Sequence, residues 1–394
     1  MALCQNTKAV SLGISAVRRG AGCYGRAGGA SRMILHSLVV EQAVDIDERA
    51  HFVKELVLAR GVMPIAMVRK RAVATDRRTS AEPGDLAADT LAPVLMIHGY
   101  GQNRYAFHLP LRSMANHLAR AGFDVFNVDL RGRGRSGHFG ARRPRSVLDF
   151  IHEDVPAALD EIRALSGDRP VFLVGHSLGG VVSYCVAVDH PTRVAGVATL
   201  GSPYHFTAGS RWLVGLTSAF LALDQRMNLP NFVVPARAYG KFVRTARRVV
   251  ESRLYPLPFR GFHRGAIEPE VLEQHMALAM DRGSIATMRA MFTWAHEARE
   301  RKAGDDGLFG YAQRFEALDV PLLVISGIYD DLAAPASVKP AWAHSASRDR
   351  TYRELPFGHV DMLIGREAPQ LTWPLLESWL TKRVRSAAVA PHAP

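Results

Sequence analysis

Short apolar runs alternate with longer amphipathic segments along much of this chain. A strand that is apolar at every position must be buried on both faces, and strands joined by helical crossovers lie parallel. The pattern therefore predicts an α/β protein: a mainly parallel β-sheet with helices on both faces. The predicted strands of this series are 94–97, 124–129, 171–174, 194–200, 321–326 and 352–355, and the helices predicted between the first three strands lie around 109–121 and 147–165.

Two features stand outside the alternation. Segments 52–58 and 64–74 predict an early β-hairpin, and from residue 203 to residue 310 the chain reads as helix and loop, which predicts a helical cap insertion. We therefore divide the chain into five segments. They are a flexible N-terminal extension (1–50), the first part of the core (51–202), the cap insertion (203–310), the second part of the core (311–384) and a flexible tail (385–394).

Charge and cysteine content narrow the function classes. The 394 residues carry a formal net charge of +12, but the basic residues are scattered and accompany no nucleic-acid motif, so we expect no nucleic-acid partner. The three cysteines have neither disulfide nor metal-ligand spacing, which indicates a reducing, cytoplasmic location and no metal. We expect no cofactor. No uncharged apolar stretch reaches the roughly 18 residues of a membrane span.

The N-terminal segment permits three interpretations. Residues 1–40 lack Asp and Glu, carry five Lys and Arg residues, and are rich in Ala, Gly and Ser. This composition fits a targeting segment, a disordered leader, or a start codon placed too far upstream of Met33.

One serine lies in a pattern typical of a nucleophile. Gly175-His176-Ser177-Leu178-Gly179 directly follows the predicted strand 171–174 and precedes a predicted helix from Leu178 to His190. A sharp strand-to-helix turn needs very small residues two positions before and after the serine, and it presents the hydroxyl at the sheet edge. We predict Ser177 as a nucleophile.

A serine nucleophile also needs a base and an acid that orients the base. His359 lies in a glycine-containing loop after the last predicted strand, at the edge where the loops of a parallel sheet converge. The acid is expected after the strand that ends at Ser326, where Asp330 and Asp331 are adjacent. Only one of them can face the histidine while buried, and the residue pattern alone leaves the choice open.

Two backbone amides are predicted to bind the oxyanion. One is the amide of Leu178, which also benefits from the positive end of the following helix. The other is the amide of Tyr100, in the glycine-rich loop His98-Gly99-Tyr100-Gly101 after the first parallel strand. His98 and His176 flank these positions and are predicted to be structural or pocket residues.

With these pieces in place, the chain resembles the α/β-hydrolase superfamily over residues of about 90–202 and 311–382. The resemblance favours Asp330 over Asp331, because Gly-x-x-Asp is the usual spacing of such loops. It implies that His359 takes the proton of Ser177, that Ser177 attacks an acyl carbonyl, and that water then releases the acid. The motifs that carry it are His98-Gly99-Tyr100-Gly101, Asp129-Leu130-Arg131-Gly132-Arg133-Gly134-Arg135-Ser136, Gly175-His176-Ser177-Leu178-Gly179-Gly180, Gly327-Ile328-Tyr329-Asp330 and Gly358-His359-Val360-Asp361.

Two stretches of the insertion remain ambiguous. Residues 212–223 are strongly apolar, which predicts either a cap helix packed on the core or an acyl-binding wall that touches lipid. Residues 225–250 contain six Lys or Arg residues and no acid, which indicates a solvated face or a surface that attracts an anionic membrane or substrate. Arg142, Arg143 and Arg145 form a second basic cluster, predicted to lie at the surface.

The sequence thus predicts a serine hydrolase that cleaves a small-molecule carboxylic ester, with lysophospholipids and monoacylglycerols as candidate substrates. Amide or thioester hydrolysis and acyl transfer on the same triad are alternatives, and a non-catalytic binding protein on the same fold is a third. Serine at position 177 argues against the aspartate nucleophile of epoxide and haloalkane hydrolases and the cysteine nucleophile of polyester synthases. The oligomeric state cannot be read from the sequence.

Overall fold

The computed structural model describes residues 34–74, 83–253, 255, 257, 259–300 and 310–389. Within them, eleven strands form one nine-stranded sheet, in the order β1-β2-β3-β5-β4-β6-β7-β10-β11, and one two-stranded sheet of β8 and β9. The strands are β1 (Ile34–Asp45), β2 (Glu48–Arg60), β3 (Pro64–Ala72), β4 (Pro93–Ile97), β5 (Asp124–Asp129), β6 (Val171–His176), β7 (Val194–Leu200), β8 (Val233–Val234), β9 (Gly283–Ser284), β10 (Leu322–Gly327) and β11 (Arg350–Leu355).

Helices cover the large sheet and fill the interval between β7 and β10. The helices are α1 (Met114–Arg120), α2 (Gly134–His138), α3 (Val155–Ser166), α4 (Leu178–Asp189), α5 (Arg211–Met227), α6 (Ala236–Thr245), α7 (Arg247–Val250), α8 (Pro269–Gln274), α9 (Ile285–Glu300), α10 (Ala312–Phe315), α11 (Pro335–His344), α12 (Asp361–Ile364) and α13 (Thr372–Val389). Helices α5–α9 and strands β8 and β9 lie where the sequence predicts the cap.

The predicted parallel sheet is confirmed from β5 to β11, and β1 to β3 extend it in antiparallel fashion. Every residue of β4, β5, β6 and β10 is buried. Alternate residues of β4 enter different cores, Leu95 and Ile97 on one face and Val94 and Met96 on the other. Two covered faces explain why these strands are apolar throughout.

The predicted boundary of the N-terminal extension at residue 50 is wrong. Strand β1 occupies Ile34–Asp45 and pairs with β2 in antiparallel fashion, with Val39 opposite Val53. Strand β1 is an edge strand in which only Ala43 and Val44 are buried, so it lacks the continuous apolar run of the central strands. Pairing with β2 makes it a strand. The interpretations of residues 1–32 lie outside the described residues.

Three other element boundaries differ from prediction. Helix α1 begins at Met114 instead of residue 109, because Ser113 caps it by accepting a hydrogen bond from the Asn116 amide at 3.0 Å. The helix predicted over 147–165 opens with a π-helical segment, Phe150–Asp154. The last helix continues to Val389, so the predicted flexible tail at 385–394 starts too early, and residues 390–394 lie outside the described residues.

The order of the strands creates a crevice at the centre of the sheet. From β4 the chain moves outward to β5, and it then returns to the other side of β4 to form β6. The crossovers on the two sides of such a reversal leave a crevice at the carboxyl ends of the strands, where α/β proteins bind ligands. The loop after β4 and the turn after β6 both lie at this point.

Candidate active site

Ser177 lies on the turn between β6 and α4 with a φ of 54° and a ψ of −125°. A non-glycine residue at positive φ is strained, and such strain concentrates at functional sites. The glycines around it are sterically required. A Cβ on Gly179 would clash with the carbonyl oxygen of Ile97, and a Cβ on Gly175 would clash with the backbone of Gly180.

The predicted base and acid contact each other. His359 Nδ1 lies 2.8 Å from Asp330 Oδ2, and both side chains are almost completely buried. The backbone of Gly201, just after β7, lies against this pair: a Cβ at that position would be 2.9 Å from Asp330 Oδ2 and 3.2 Å from His359 Nδ1. The residue before it, Leu200, accepts the hydrogen bond of the Ser177 amide at 3.0 Å. The end of β7 therefore links the serine turn to the His–Asp pair.

The two adjacent carboxylates contact different parts of the molecule. Asp330 uses Oδ2 for His359 and Oδ1 for the amides of Leu332 (2.9 Å) and Ala333 (2.7 Å). Asp331 instead accepts the amides of Arg260 (2.5 Å) and Gly261 (3.1 Å), which belong to the cap. The preference for Asp330 therefore agrees with the contact to His359, and Asp331 holds a cap loop.

The electrostatic surroundings of His359 favour its protonated form. Burial lowers the pKa of His359, but the nearby carboxylates, Asp330 foremost with Asp331 and Asp361, together outweigh burial and raise the pKa above its usual value. Two residues further on, Asp361 accepts the amides of Gly358 (2.8 Å) and His263 (2.7 Å) through Oδ2. Burial raises the pKa of Asp361 to about 7. This carboxyl shapes the loop that carries His359.

The two predicted oxyanion donors lie beside the serine turn. A Cβ on Gly99 would be 3.0 Å from Ser177 Cβ, so the loop that carries Tyr100 packs directly on the serine. Leu178 is the first residue of α4. Among the described residues, neither the Tyr100 amide nor the Leu178 amide has a hydrogen-bond acceptor. The Tyr100 hydroxyl donates to the carbonyl of Ser284 in the cap at 3.2 Å.

The two flanking histidines form hydrogen bonds with backbone groups, as predicted for structural residues. His176 Nε2 donates to the carbonyl of His359 at 3.0 Å, and His176 Nδ1 lies 3.2 Å from Gln102 Oε1. Burial, reinforced by the nearby His359, keeps the pKa of His176 well below its usual value. His98 Nδ1 donates to the carbonyl of Gly99 at 2.9 Å, and its other nitrogen accepts the Leu130 amide.

Sequence reasoning missed Asp281, a buried carboxylate that connects the cap to the site. Its side chain accepts hydrogen bonds from the Gly134 amide (2.8 Å), Asn103 Nδ2 (3.1 Å) and Arg237 Nη2 (2.9 Å). Its own amide donates to the carbonyl of Gly101 at 2.7 Å. Burial would raise its pKa, but these donors outweigh burial and lower it. No local pattern could have revealed Asp281, because Gly134 and Asn103 are 147 and 178 residues away.

The arginine-rich motif after β5 is explained by structure. Asp129 accepts the amides of Arg104 and Arg135, each at 2.8 Å, and Arg131 forms a buried ion pair with Asp154 at 2.7 Å. The side chains of Arg142, Arg143 and Arg145 are exposed, as predicted.

Within the described residues, no cluster of three or more His, Cys, Asp or Glu residues could hold a metal ion. No helix there is both long and apolar enough to cross a bilayer.

Comparison with known proteins identifies the family. The family model of the α/β hydrolase fold matches residues 92–365, more than half of the chain, and the protein therefore belongs to this family. A soluble variant of a monoglyceride lipase from Saccharomyces cerevisiae, solved with a substrate analogue, superposes with a TM-score of 0.53 at 16% identity. That match covers 82% of this chain and 95% of the lipase, and it supports the fold alone.

Two curated relatives match in sequence. The poly(3-hydroxyalkanoate) polymerase subunit PhaC of Haloferax mediterranei is 24% identical over 313 residues, which cover 74% of this chain and 59% of the relative. A pimeloyl-[acyl-carrier protein] methyl ester esterase of Yersinia enterocolitica is 29% identical over 119 residues, which cover 30% of this chain and 40% of the relative. The chain thus spans less than two thirds of the length of either relative.

Proposed function

We propose that this protein is a serine hydrolase that cleaves carboxylic esters through an acyl-enzyme on Ser177. The observation that carries the proposal is the buried contact of 2.8 Å between His359 Nδ1 and Asp330 Oδ2. A histidine that uses one ring nitrogen for a buried carboxylate has the other available for the proton of a hydroxyl nucleophile. The strained turn at Ser177, joined to this pair through the end of β7, supplies that hydroxyl.

In the proposed reaction, His359 takes the proton of Ser177 Oγ while this oxygen attacks the acyl carbonyl. The amides of Tyr100 and Leu178 donate hydrogen bonds to the oxyanion, and protonated His359 returns its proton to the leaving alcohol. Asp330 keeps the proton of the neutral imidazole on Nδ1 and stabilises the imidazolium. A water molecule deprotonated by His359 then attacks the acyl-enzyme carbonyl. As the bond to Ser177 Oγ breaks, protonated His359 returns the proton to this oxygen, and the carboxylic acid is released.

The substrate class rests on the apolar character of the cap. We propose esters with a medium or long acyl chain, and lysophospholipids and monoacylglycerols are the candidates. The printed name of the Yersinia relative, a methyl ester esterase, supports ester chemistry in general. A cytoplasmic location, inferred from the cysteine spacing, belongs to the same proposal.

Acyl transfer is the second candidate, because the Haloferax relative is named as a polymerase subunit. Transfer would use the same acyl-enzyme, with an alcohol in place of water as the acceptor. Product analysis with and without an added alcohol separates the two: hydrolysis yields free acid under both conditions, whereas a transferase yields a new ester whenever the alcohol is present. Amide and thioester substrates can be tested in the same product analysis, where their cleavage would release free acid.

The decisive experiment is covalent labelling with a fluorophosphonate probe, which traps an activated serine. We expect the wild type and Ser218→Ala, which removes an exposed serine of α5, to be labelled, and Ser177→Ala to remain unlabelled. Ester hydrolysis by Ser177→Ala should fall by on the order of 10⁴-fold or more. Absence of labelling in the wild type, or equal labelling of Ser177→Ala, would refute the nucleophile.

The chain-length proposal has its own measurement. Hydrolysis of p-nitrophenyl esters should become more efficient, in kcat/KM, as the acyl chain lengthens from acetate to decanoate. Cleavage of short esters alone would reject the lipid-like substrate class while leaving the serine mechanism intact.

A further inference from the structure

Helix α5 of the cap presents apolar side chains on two adjacent faces, one buried and one exposed. One face packs on the protein: Leu213 and Thr217 are buried, and Phe220 lies edge-on to Phe292 of α9 with ring centroids 5.2 Å apart. Asp224, on the same face, forms a bidentate ion pair with Arg289 of α9, at 2.6 and 2.7 Å. These contacts anchor α5 on α9, so the adjacent exposed face is not needed for this packing.

That exposed face carries a stripe of apolar side chains, which we call the α5 stripe. It consists of Trp212, Leu216, Leu223 and Met227, with exposed fractions of 67%, 46%, 48% and 61%. Their spacings of four, seven and four residues place them on one side of a helix. The helix has 17 residues, so the stripe extends over about 25 Å. Single exposed apolar residues are ordinary, but an aligned row that includes a tryptophan marks an interaction surface.

The charges beside the stripe specify the kind of partner. Arg211 and Arg226 are exposed at its two ends. The one acidic residue of α5, Asp224, is buried and paired with Arg289. The exposed charged side chains of α5 are therefore both cationic, and they complement an anionic surface.

We propose that the α5 stripe docks onto the surface of a bilayer that contains anionic lipids. An amphipathic helix with an apolar face, cationic flanks and an aromatic residue lies in the plane of the interface, with its apolar side chains among the acyl chains. Tryptophan side chains anchor proteins at the level of the lipid headgroups, and Trp212 supplies such an anchor. Arg211 and Arg226 contact lipid phosphates. This inference does not rest on catalysis by Ser177 and remains testable if the protein is not an esterase.

Vesicle co-flotation tests the proposal directly. The wild type should float with vesicles of phosphatidylcholine mixed with phosphatidylglycerol, bind vesicles of pure phosphatidylcholine much more weakly, and lose binding as salt is raised. Trp212→Gln combined with Leu216→Gln should reduce binding to the mixed vesicles at least about tenfold, since it removes half of the stripe. Arg211→Gln combined with Arg226→Gln should reduce the difference between the two vesicle types.

A matched control is Val62→Gln, which replaces an exposed apolar residue (69% exposed) in the turn between β2 and β3. It should bind vesicles like the wild type, and the melting temperatures of all variants should match, because none of these side chains is buried. Failure of the wild type to float, or equal flotation of the wild type and the stripe variant, would overturn the proposal. So would a lipid-free dimer, seen by light scattering, that the stripe variant dissociates, because the stripe would then bind a second copy of the chain.

Discussion

The sheet and the cap use apolar residues in different ways. In β4, β5, β6 and β10 every position is buried, so local hydropathy and burial agree. In α5, which contains the long apolar run of the insertion, Trp212 and Met227 are more than 60% exposed. A strand inside a covered sheet has two buried faces, whereas a surface helix needs one apolar stripe for packing. The apolar residues of α5 beyond that requirement point to a second role.

The difference extends to two adjacent carboxylates. The side chain of Asp330 contacts His359 at the edge of the sheet. The side chain of Asp331 instead accepts hydrogen bonds from the amides of Arg260 and Gly261 in the cap. The two residues are consecutive in the chain, yet the side chain of Asp330 contacts the proposed base and that of Asp331 binds the cap. Substitutions at these positions and in the two regions test the comparison.

The largest effect is expected at the paired carboxylates. Asp330→Asn should lower kcat/KM for ester hydrolysis by roughly 10³- to 10⁴-fold, because the imidazole loses its orienting carboxylate. Asp331→Asn is the matched control and should retain most activity, because its amide oxygen can still accept a backbone hydrogen bond. Steady-state kinetics of both variants measures the contrast. A larger loss at Asp331 would move the orienting role to that residue.

The pH profile gives an independent readout of the same pair. His359 must be neutral to accept a proton, so the activity of the wild type should fall as the pH drops through the raised pKa of His359, above the usual value of about 6.5. In Asp330→Asn the main influence that raises this pKa is gone. The acidic limb of its residual activity should therefore move to lower pH. An unchanged limb would mean that another group controls it.

The next largest effect is expected on the free energy of unfolding, when a buried leucine and an exposed leucine are each replaced. Leu173→Ala in β6 should lower the free energy of unfolding by about 2–5 kcal/mol, since it removes a fully buried side chain. Leu216→Ala in α5 should change it by less than about 0.5 kcal/mol, since 46% of that residue is exposed. Urea denaturation measures both. Similar losses at the two positions would show that the α5 stripe is part of a packed core.

The smallest of the three effects concerns the connection between the regions. Asp281→Ala removes the acceptor shared by Gly134, Asn103 and Arg237. The loop that carries Tyr100 should shift, and kcat should fall by about 10- to 100-fold with a smaller change in KM. The rate of fluorophosphonate labelling should fall in parallel.

Glu273→Ala is the control for this prediction. It breaks an exposed ion pair of the cap, in which Glu273 Oε1 lies 3.3 Å from Arg244 Nη2, and it leaves the side chain of Asp281 in place. Its activity should equal that of the wild type. An equal effect of both substitutions would indicate general loosening of the cap, and no effect of either would show that the cap does not position the loop.

Much of the sheet and the candidate site could be predicted because the relevant signals are local. An apolar run predicts a central strand without knowledge of its neighbours, and the Gly-x-Ser-x-Gly turn requires its glycines for steric reasons within a few residues of Ser177. The loop positions of Asp330 and His359 follow from the ends of predicted strands. Strand β1, by contrast, depends on pairing with β2, and no pattern within residues 34–45 required that partner.

By itself, then, the sequence determined the central strands, the serine turn and the short set of residues that could serve it, because each depends on contacts between near neighbours in the chain. Only the tertiary structure decided between the environments of Asp330 and Asp331, assigned Asp281 to the junction with the cap, and turned the α5 stripe outward. These outcomes depend on which distant segments meet: His359, the backbone of Gly261, the loop at Gly101 and helix α9. Hydropathy and spacing along the chain carry little information about such encounters.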